Sequence, residues 1–357
     1  MSTTLTAVPP GRGLRVVRES FASMRGAVLT LVAVALGAVV LVPFVRWAVI
    51  DAHWRGTAAD CRVPGAGACW SFIGHKLPFI LFGLYPSAVR WRPALASALL
   101  VCLIVATMLP VCWRRELLIA WVGGLAVTLW LMAGGLSLAS VPTQEWGGLP
   151  ITLMLTVVGL GAGLPLGVLL ALGRRSQLVV PRLTATAIVE LVRGVPLVAV
   201  LYLAVLVVPL ALSTGVEVDK LFLAQGGVTV FAGAYLAEAV RGGLQMVPTS
   251  RMNAARALGM TWWQSTRLVV LPEALRIVIP AFISIAVGFF QDTSLIVIVG
   301  LFDLLNTARL AAQDPAWLGF HTEAYVFVGL VYFAGSALVS RYGLWLERHM
   351  AVSTRRP

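Results

Sequence analysis

The chain alternates between long apolar runs and short polar segments. A helix that crosses a lipid bilayer needs about 20 predominantly apolar residues. Runs of that length predict membrane spans at residues 27–50, 94–113, 117–138, 149–172, 181–210, 222–241, 274–300 and 323–342. We therefore expect an all-α polytopic membrane protein with eight spans.

A shorter apolar stretch, from Leu77 to Val89, does not fit this series. It has about 13 residues with a proline near each end, and a helix of that length is too short to cross the hydrocarbon core. We expect an interfacial or re-entrant segment at this place.

Basic residues at the ends of the apolar runs set the orientation. Arginines precede the first run and occupy the turns at 113–116 and 173–177, and cytoplasmic loops carry an excess of basic residues. Placing all of them inside gives eight spans, both termini in the cytoplasm and an outer loop at 51–93. A ninth span would move one of these basic groups to the outer side.

The composition agrees with this architecture. Hydrophobic residues make up 59% of the 357 residues and charged residues only 12%, which is far too apolar for an ordinary soluble domain. The net charge of +12 is spread in short groups rather than in one stripe, so nucleic acid is not an expected partner. The first apolar run is too long for a signal-peptide core, and we interpret it as a retained span.

Two of the four cysteines lie in the predicted outer loop. Cys61 and Cys69 bracket a flexible Gly/Pro segment and either form a disulfide in an oxidising compartment or remain two free thiols. Cys102 and Cys112 lie in or beside an apolar run, which is typical of inert packing. The four histidines have no metal-ligand spacing, so no metal site is expected.

A short amphipathic segment lies in the predicted cytoplasmic loop at 242–273. Apolar and small residues recur every three or four positions from Met252 to Trp262. Gly259 fits a helix C-terminus, and the sequence from Thr261 to Gln264 matches a capping box. The pattern predicts a helix, a glycine turn and a second helix, which either dock into a groove of another protein or lie on the lipid headgroups.

The sequence NAARALGMTWWQSTRLVVLPEALRIVIP, which begins at Asn253, resembles the EAA loop of ABC importer permeases. The sequences VELVRGVPL at 189–197, AGAYLAEAVRGGLQMVP at 232–248 and QDTSLIVIVGLFDLL at 291–305 are similar to the polar amino-acid uptake branch of that family. The resemblance covers residues 149–345. The additional amino-terminal spans resemble the long M-type permease subunit of the general L-amino acid transport systems.

This resemblance implies a type I ABC importer permease core of five spans at 141–357, preceded by a three-span extension at 1–140. In that family the loop couples the permease to the ATPase. The resemblance assigns this role to Asn253, Ala254, Ala255, Arg256, Leu258, Gly259, Met260 and Thr261.

The resemblance also implies where the protein works and with what. The expected location is the bilayer of the bacterial inner membrane, and the expected partners are a second permease subunit, a dimeric ABC ATPase and a periplasmic amino-acid-binding protein. ATP and Mg are used by the ATPase, so no cofactor is expected on this chain.

Two positions depart from the family pattern. Asn253 stands where the EAA signature has Glu, which removes a carboxylate that could pair with the ATPase. Coupling then depends on close packing of Ala254, Ala255 and Gly259. Gln291 stands where Lys usually precedes the sequence DTSL, and the loss of that cation leaves the substrate preference open.

Charged and polar residues within the predicted spans are candidates for a substrate pathway, because charges at bilayer depth normally face a cavity or each other. Glu190 and Arg193 lie beside a helix break at 194–196 and form either a local ion pair or part of a binding site. An amino-acid carboxylate could be held by Arg193. The second candidate group is Gln291, Asp292, Thr293 and Ser294, in which Asp292 either accepts a substrate ammonium or pairs with the second permease.

Two further groups of polar residues have structural interpretations. Glu238 and Arg241 are expected to form an ion pair at the membrane boundary. Asp303 and Asn306 are expected to cap the outer end of a span.

The chain has no P-loop, because neither of its two lysines follows the required glycine pattern. ATP hydrolysis must therefore come from a partner. Together with this absence, the family resemblance implies a permease subunit, without enzyme activity of its own, of an importer that carries polar or general L-amino acids into the cytoplasm by alternating access.

Two other classes of function compete with this prediction. A secondary transporter or channel driven by an ion gradient would have no use for a docking helix, and inverted repeats are not evident. A membrane-embedded scaffold or sensor would not need Asp292 and Arg193 inside the bilayer.

Overall fold

The computed structural model describes residues 23–211 and 218–354, with side chains up to residue 349. It divides the chain into two compact units, Met1–Gly74 and His75–Pro357. This boundary differs from the predicted seam between 1–140 and 141–357. The reason is that residues of the second and third spans, such as Leu100 and Met132, belong to the hydrophobic core of the second unit.

Helices make up most of the described residues. In chain order the α-helices are α1 Met24–Val45, α2 Trp70–Phe82, α3 Trp91–Met108, α4 Arg115–Ala133, α5 Leu149–Arg174, α6 Val179–Gly194, α7 Leu197–Tyr202, α8 Val208–Ala211, α9 Lys220–Met246, α10 Thr249–Ala257, α11 Trp262–Ser265, α12 Leu271–Ile277, α13 Ile279–Asp292, α14 Leu304–Ala311 and α15 His321–Thr354. Turns of π-helix at Arg46–Ile50, Leu203–Val207 and Thr266–Val270 continue α1, α7 and α11, and a 3-10 segment at Thr293–Val299 continues α13. Short 3-10 turns lie at Asp60–Arg62, Ser87–Val89, Pro110–Cys112, Thr143–Glu145 and Pro315–Trp317. The strands β1 Gly147–Gly148 and β2 Phe302–Asp303 pair in parallel.

Seven helical segments of the described residues are long and apolar enough to cross a membrane: α1, α3, α4, α5, α9, α13 and α15, with the π-helical or 3-10 continuations of α1 and α13 included. An eighth segment consists of α6 and Leu197–Ala211, which are bent by 112° relative to each other. The break follows Gly194 and includes Pro196, as the sequence predicts, because proline cannot continue the backbone hydrogen bonding of a helix.

Helices α5 and α9 lie side by side and run in the same direction. Methyl groups added to Gly159, Gly163 and Gly167 of α5 would lie 2.9 Å from atoms of Val228, Ala232 and Ala237, respectively. The glycines recur every four residues, so they form one stripe along α5 that allows the two backbones to approach closely.

The parallel arrangement decides how the chain passes between α5 and α9. At one end, Thr143 before α5 donates a hydrogen bond to Asp219 before α9. At the other end, Arg175 after α5 donates to the carbonyl of Leu244, at 3.0 Å. The intervening chain must therefore return across the membrane, and the bent pair counts as one broken span. With this broken span included, the described residues contain eight segments that are long and apolar enough to cross a membrane.

Helix α2 lies at the outer side of the second unit. The hydroxyl of Thr307 in α14 donates to the carbonyl of Ile80, at 2.6 Å, and a methyl group added to Gly83 would lie 2.9 Å from Gly147 in β1. The predicted non-crossing segment is thus the end of a 13-residue helix and the turn that follows, packed beside the small β1–β2 pair.

The first unit contains α1 and the loop that follows it. The indole of Trp70 donates to the carbonyl of Ala48, at 2.7 Å, and Gly67 donates its N–H to Asp51, at 2.8 Å. Cys61 and Cys69, which this loop brings together, form a disulfide. Cys102 and Cys112 are free thiols in the second unit.

Candidate functional site

The segment between α9 and α13 forms the helix, glycine turn and helix that the sequence predicts. Helix α10 begins after Pro248 and is followed at Gly259 by a φ of +76°, a backbone conformation that glycine adopts at little cost. Thr261 then caps α11. Its hydroxyl accepts from the N–H of Gln264 at 3.3 Å, and its own N–H donates to the Gln264 side chain at 2.9 Å, which confirms the predicted capping box.

Helix α10 directs its apolar face toward the protein. Ala255 is only 3% exposed, and Met252 packs on a buried cluster that includes Ala171 of α5 and Val240 of α9. A helix lying on lipid headgroups would present this face to the membrane. Because the protein's own spans cover it, the headgroup alternative does not fit the structure.

The opposite face of this segment is available to a partner. Asn253, Ala254 and Arg256 are exposed, and the side chain of Leu258 is 82% exposed. The expectation that a partner packs on Ala255 needs correction, because that methyl group points into the protein. The small residues that a partner can approach are Ala254 and Gly259.

Five charged side chains from α5, α6 and α9 meet near the inner ends of the spans. Arg174 donates to Glu238 at 2.9 Å and to Glu190 at 2.7 Å. Glu238 also accepts from Arg241 and lies 3.5 Å from Arg193. These three arginines and two glutamates, called the inner charge cluster below, leave one net positive charge.

The local ion pair between Glu190 and Arg193, one of the two alternatives that the sequence left open, is not the observed arrangement. Glu190 bonds Arg174 instead, because α6 packs across α5 and α9, where Leu170, Ala185 and Ala237 share a buried cluster. The Glu238–Arg241 pair is present as predicted, but it belongs to the larger cluster.

Arg193 is the most loosely held member of the inner charge cluster. Its ion pair with Glu238 is the longest of the cluster, at 3.5 Å, and 35% of its side chain is exposed. The guanidinium lies 5.5 Å from the ring centroid of Tyr235, within the range of a cation–π contact. Its hydrogen-bonding capacity is therefore largely unused in this structure.

The second candidate group lies where α13 becomes the 3-10 segment, and its members differ in their surroundings. Thr293 is 4% exposed, and its hydroxyl bonds the Phe290 carbonyl at 2.9 Å and the Tyr332 hydroxyl at 3.3 Å. Gln291 donates to Ser336 at 3.3 Å. Asp292 is partly buried, and its carboxylate has no hydrogen bond or ion pair with another described residue.

No hydrogen bond or ion pair of the described residues joins this group to the inner charge cluster. Arg193 and Asp292 are the members of the two groups with the most unused bonding capacity. Thr293 is buried and its hydroxyl is already bonded within the protein, so in this structure it is not open to a substrate.

The polar residues at the outer end of this span form a network in which they hydrogen-bond one another. Asp303 is fully buried, caps α14 by accepting from the N–H of Asn306 at 3.0 Å, and accepts from the Tyr332 hydroxyl at 2.7 Å. Asn306 does not act as the cap. Its side chain donates to the carbonyl of Ser294, at 2.9 Å, which fastens the 3-10 segment to α14.

Arg174 and the glycine stripe of α5 are not among the predicted site residues. Arg174 lies in a basic turn that indicates orientation, but an arginine directly at the end of a span can also reach back to carboxylates in neighbouring spans. The stripe has a recognisable signal, three glycines spaced by four residues at Gly159, Gly163 and Gly167. Among the described residues, no group of three or more His, Cys, Asp or Glu is placed to hold a metal ion.

Comparisons with known proteins agree on one family. The model of the family described as "Binding-protein-dependent transport system inner membrane component" matches residues 163–352. The chain is 40% identical over 364 residues to the inner membrane amino-acid ABC transporter permease protein YhdY of Escherichia coli K12, covering 98% of each chain.

Two further proteins are similar to parts of this chain. The glutamate/glutamine/aspartate/asparagine transport system permease protein BztC of Rhodobacter capsulatus is 34% identical over 344 residues, covering 80% of this chain and 79% of the relative. One chain from the crystal structure of an amino acid ABC transporter with histidines matches with a TM-score of 0.49 and 26% identity, covering 56% of this chain and 90% of that one.

Proposed function

The chain belongs to the family of binding-protein-dependent transport system inner membrane components, and from that premise we propose that it imports amino acids as the permease subunit of an ATP-driven transporter. It is a multi-pass protein of the inner membrane and not an enzyme. As a permease of this family it works with an ATPase that is a separate subunit and with a substrate-binding protein.

The main structural support for this proposal is the exposed face of α10 and of the turn that follows it. A cytoplasmic helix whose apolar face is fastened to the spans, while Asn253, Arg256 and Leu258 point outward, is suited to transmit movement of a docked partner. Gly243 of α9 approaches α12 so closely that an added methyl group would lie 2.7 Å from the carbonyl of Ala274. Movement of the loop therefore reaches α9 through rigid contacts.

We assign the docking surface to Asn253, Ala254, Arg256, Leu258, Gly259, Met260 and Thr261. The partner is a dimeric ABC ATPase that binds ATP and Mg, and this chain binds neither. Closure of the ATPases moves the segment and tilts the spans around residues 190–196 and 291–294. By this alternating access the substrate then leaves toward the cytoplasm. A second permease subunit completes the membrane part as a heterodimer.

Amino acids fit the two charged side chains of the spans that have the most unused bonding capacity, Arg193 and Asp292. An amino acid offers a carboxylate, which Arg193 can bind in a bidentate manner, and an ammonium, which Asp292 can accept. Because the two residues lie in separate groups, the substrate meets them at different stages of transport. The proposed range is polar or general L-amino acids. The neutral Gln291 next to Asp292 leaves that carboxylate without an adjacent competing cation.

A crosslinking experiment tests the docking surface. Cys102 and Cys112 are replaced by Ser, the Cys61–Cys69 disulfide is kept, and Leu258→Cys is crosslinked to the ATPase that is produced with this chain. A specific crosslink whose yield changes with ATP supports the proposal. The matched control is Leu268→Cys, which is 63% exposed but lies outside the docking surface. Equal crosslinking at both positions, or none at position 258, contradicts it.

Measurement of the energy source separates the proposal from an ion-driven transporter. Uptake into vesicles that contain the complete complex must require internal ATP and the external binding protein, and must continue when ion gradients are collapsed. Uptake by this chain without an ATPase, driven by an imposed gradient, would instead establish the secondary-transporter alternative.

A further inference from the structure

Two adjoining cavities lie between α10, the π-helical turn at Thr266–Val270 and the inner ends of α5 and α9. The larger has a volume of about 260 Å³ and the smaller about 90 Å³. Both are lined by Arg175, Leu244, Met252, Trp262 and Val270. We treat them as one site, called the underside pocket.

The underside pocket is basic. Its charged lining residues are Arg175 and Arg256, and no acidic residue is among the residues that line either cavity. Asn253 and Thr249 add neutral hydrogen-bond donors to the larger cavity. Glu273, the one acidic residue of the loop at 242–273, does not line either cavity and pairs with Arg251 at 3.4 Å. The lining therefore suits an anion.

The start of α10 adds partial positive charge to the same cavity. It is lined by Pro248, the N-cap of α10, and by Thr249, the first residue of that helix. No side chain caps this end, and no acidic residue occupies its first turn. The free N–H groups at a helix start carry a partial positive charge that binds anions such as phosphate.

A buried hydroxyl gives an independent indication of a ligand. Thr266 lines the smaller cavity, is only 4% exposed, and its Oγ1 has no hydrogen-bond partner among the described residues. A buried polar group without a partner is unfavourable, and native proteins satisfy almost all of them. An oxygen of a bound anion in the pocket would accept the hydrogen bond that this hydroxyl lacks.

The position of the pocket relative to the membrane indicates which kind of anion reaches it. Arg175 directly follows the inner end of α5, and Trp262 is 46% exposed at the same cavity. Arginine and tryptophan together are typical of the level of the lipid headgroups. Phosphate groups occur at that level, both in anionic lipids of the inner leaflet and free in the cytoplasm.

We infer that the underside pocket binds a phosphate group, held by Arg175, Arg256, Thr266 and the start of α10. The bound phosphate links α10 to α5 and to the π-helical turn, and so stiffens the segment from α10 to α12 next to its docking surface, with which the pocket shares Asn253 and Arg256. This inference goes beyond the proposed transport activity, because a pocket of this kind could bind phosphate whatever the chain transports.

The test uses the purified complete complex in nanodiscs of phosphatidylcholine. In one arm, part of the lipid is replaced by phosphatidylglycerol, and in the other arm inorganic phosphate is added to the buffer. Thermal unfolding of the permease is followed, since a ligand that binds the folded state raises its melting temperature. The variants are Arg175→Gln and Thr266→Val, with Arg267→Gln as control.

The control removes one positive charge from the same loop, at a residue that does not line the pocket. Thr266→Val should fold like the wild type, because the hydroxyl that it removes has no hydrogen-bond partner among the residues that the structure describes. Phosphate binding to the ATPase is the same in all variants, so differences between variants report on this pocket.

We expect at least one arm to raise the melting temperature of the wild type and of Arg267→Gln. In Arg175→Gln and Thr266→Val, the concentration needed for half the effect should rise about tenfold, as for the loss of one charge-assisted hydrogen bond. A response to phosphatidylglycerol alone identifies a lipid headgroup, and a response to inorganic phosphate identifies a free anion. The inference is overturned if neither arm stabilises the wild type, or if all variants respond alike.

Discussion

Glu238 is the residue on which the inner charge cluster depends. Its carboxylate pairs with Arg174, Arg193 and Arg241, and its side chain is 25% exposed. Glu190 belongs to the same cluster, but it has one partner and is 60% exposed. The two glutamates can therefore be compared directly, because they differ in burial and in the number of arginines that they contact.

Replacing Glu238 should destabilise the protein more than replacing Glu190. Glu238→Gln leaves Arg193 and Arg241 without a carboxylate, and the loss of hydrogen bonds to a charged group costs about 1.5–3 kcal/mol. Glu190→Gln breaks one exposed pair, which is worth less than about 1 kcal/mol. Thermal unfolding of both variants measures the difference. Equal melting temperatures would show that the cluster does not act as a unit centred on Glu238.

At the scale of elements, the parallel packing of α5 on α9 depends on the glycine stripe. At Gly167, an added methyl group would lie 2.9 Å from backbone atoms of both Gly233 and Ala237, whereas at Gly161, on another face of α5, it would meet nothing within 4 Å. Both positions are in the same helix, so the intrinsic helical preference of alanine is the same at each.

We expect Gly167→Ala to destabilise the protein and Gly161→Ala not to. Forcing a methyl group against backbone atoms in a tightly packed interface costs about 1–3 kcal/mol. Melting temperature and transport rate of the two variants are compared. A Gly167→Ala protein as stable and active as Gly161→Ala would refute the close contact between α5 and α9.

A second element-scale contact joins α2 to the segment after α14. The ammonium of Lys76 donates to Asp314 at 2.6 Å, and the N–H of Ala316 donates to the same carboxylate at 2.9 Å. The hydrogen bond from Lys76 holds the pKa of Asp314 below its ordinary value, and the backbone N–H of Ala316 adds to this effect.

This lowered pKa predicts a pH-dependent contribution to stability. A carboxyl whose pKa is lower in the folded state stabilises that state above its ordinary value of about 3.9, and the contribution is lost as the pH falls from there toward the folded pKa. Asp314→Asn should therefore melt at a lower temperature than the wild type at pH 7, with the gap closing at the acidic end. A gap that is independent of pH would indicate a purely structural effect.

At the scale of the whole molecule, the number of crossings decides which parts face which compartment. Eight crossings put the loop between α4 and α5 outside and the loop between α9 and α13 inside. Leu136 is fully exposed in the first loop and Leu258 is 82% exposed in the second. If the broken pair formed a re-entrant loop that returned to the inner side, the two loops would face the same compartment.

Side-specific labelling tests this topology. Leu136→Cys and Leu258→Cys are made separately in a background without Cys102 and Cys112, and intact cells are exposed to a membrane-impermeant maleimide. Position 136 should react at once and position 258 only after permeabilisation. The background protein should not react without reductant, because its two remaining cysteines form the disulfide. Reaction of both positions from the same side would refute eight crossings.

Much of this protein was determined locally by its sequence. The lengths of the apolar runs determined the spans, and Gly194 and Pro196 determined the break after α6. Gly259 and the Thr261–Gln264 capping box determined where α10 ends and α11 begins. Each of these features depends on residues that are neighbours in the chain, so their spacing predicts the outcome. The family resemblance rests on the same short stretches.

Only the tertiary structure decided which residues meet. In it, Glu190 pairs with Arg174 rather than with Arg193, and Ala255 is buried. The Thr293 hydroxyl is hydrogen-bonded within the protein, and α3 and α4 belong to the same compact unit as α5 and α9. These outcomes depend on how each helix is rotated and where it crosses its neighbours. That geometry is set by close packing between segments far apart in the chain, such as the glycine stripe of α5 against α9, and a one-dimensional pattern does not contain it.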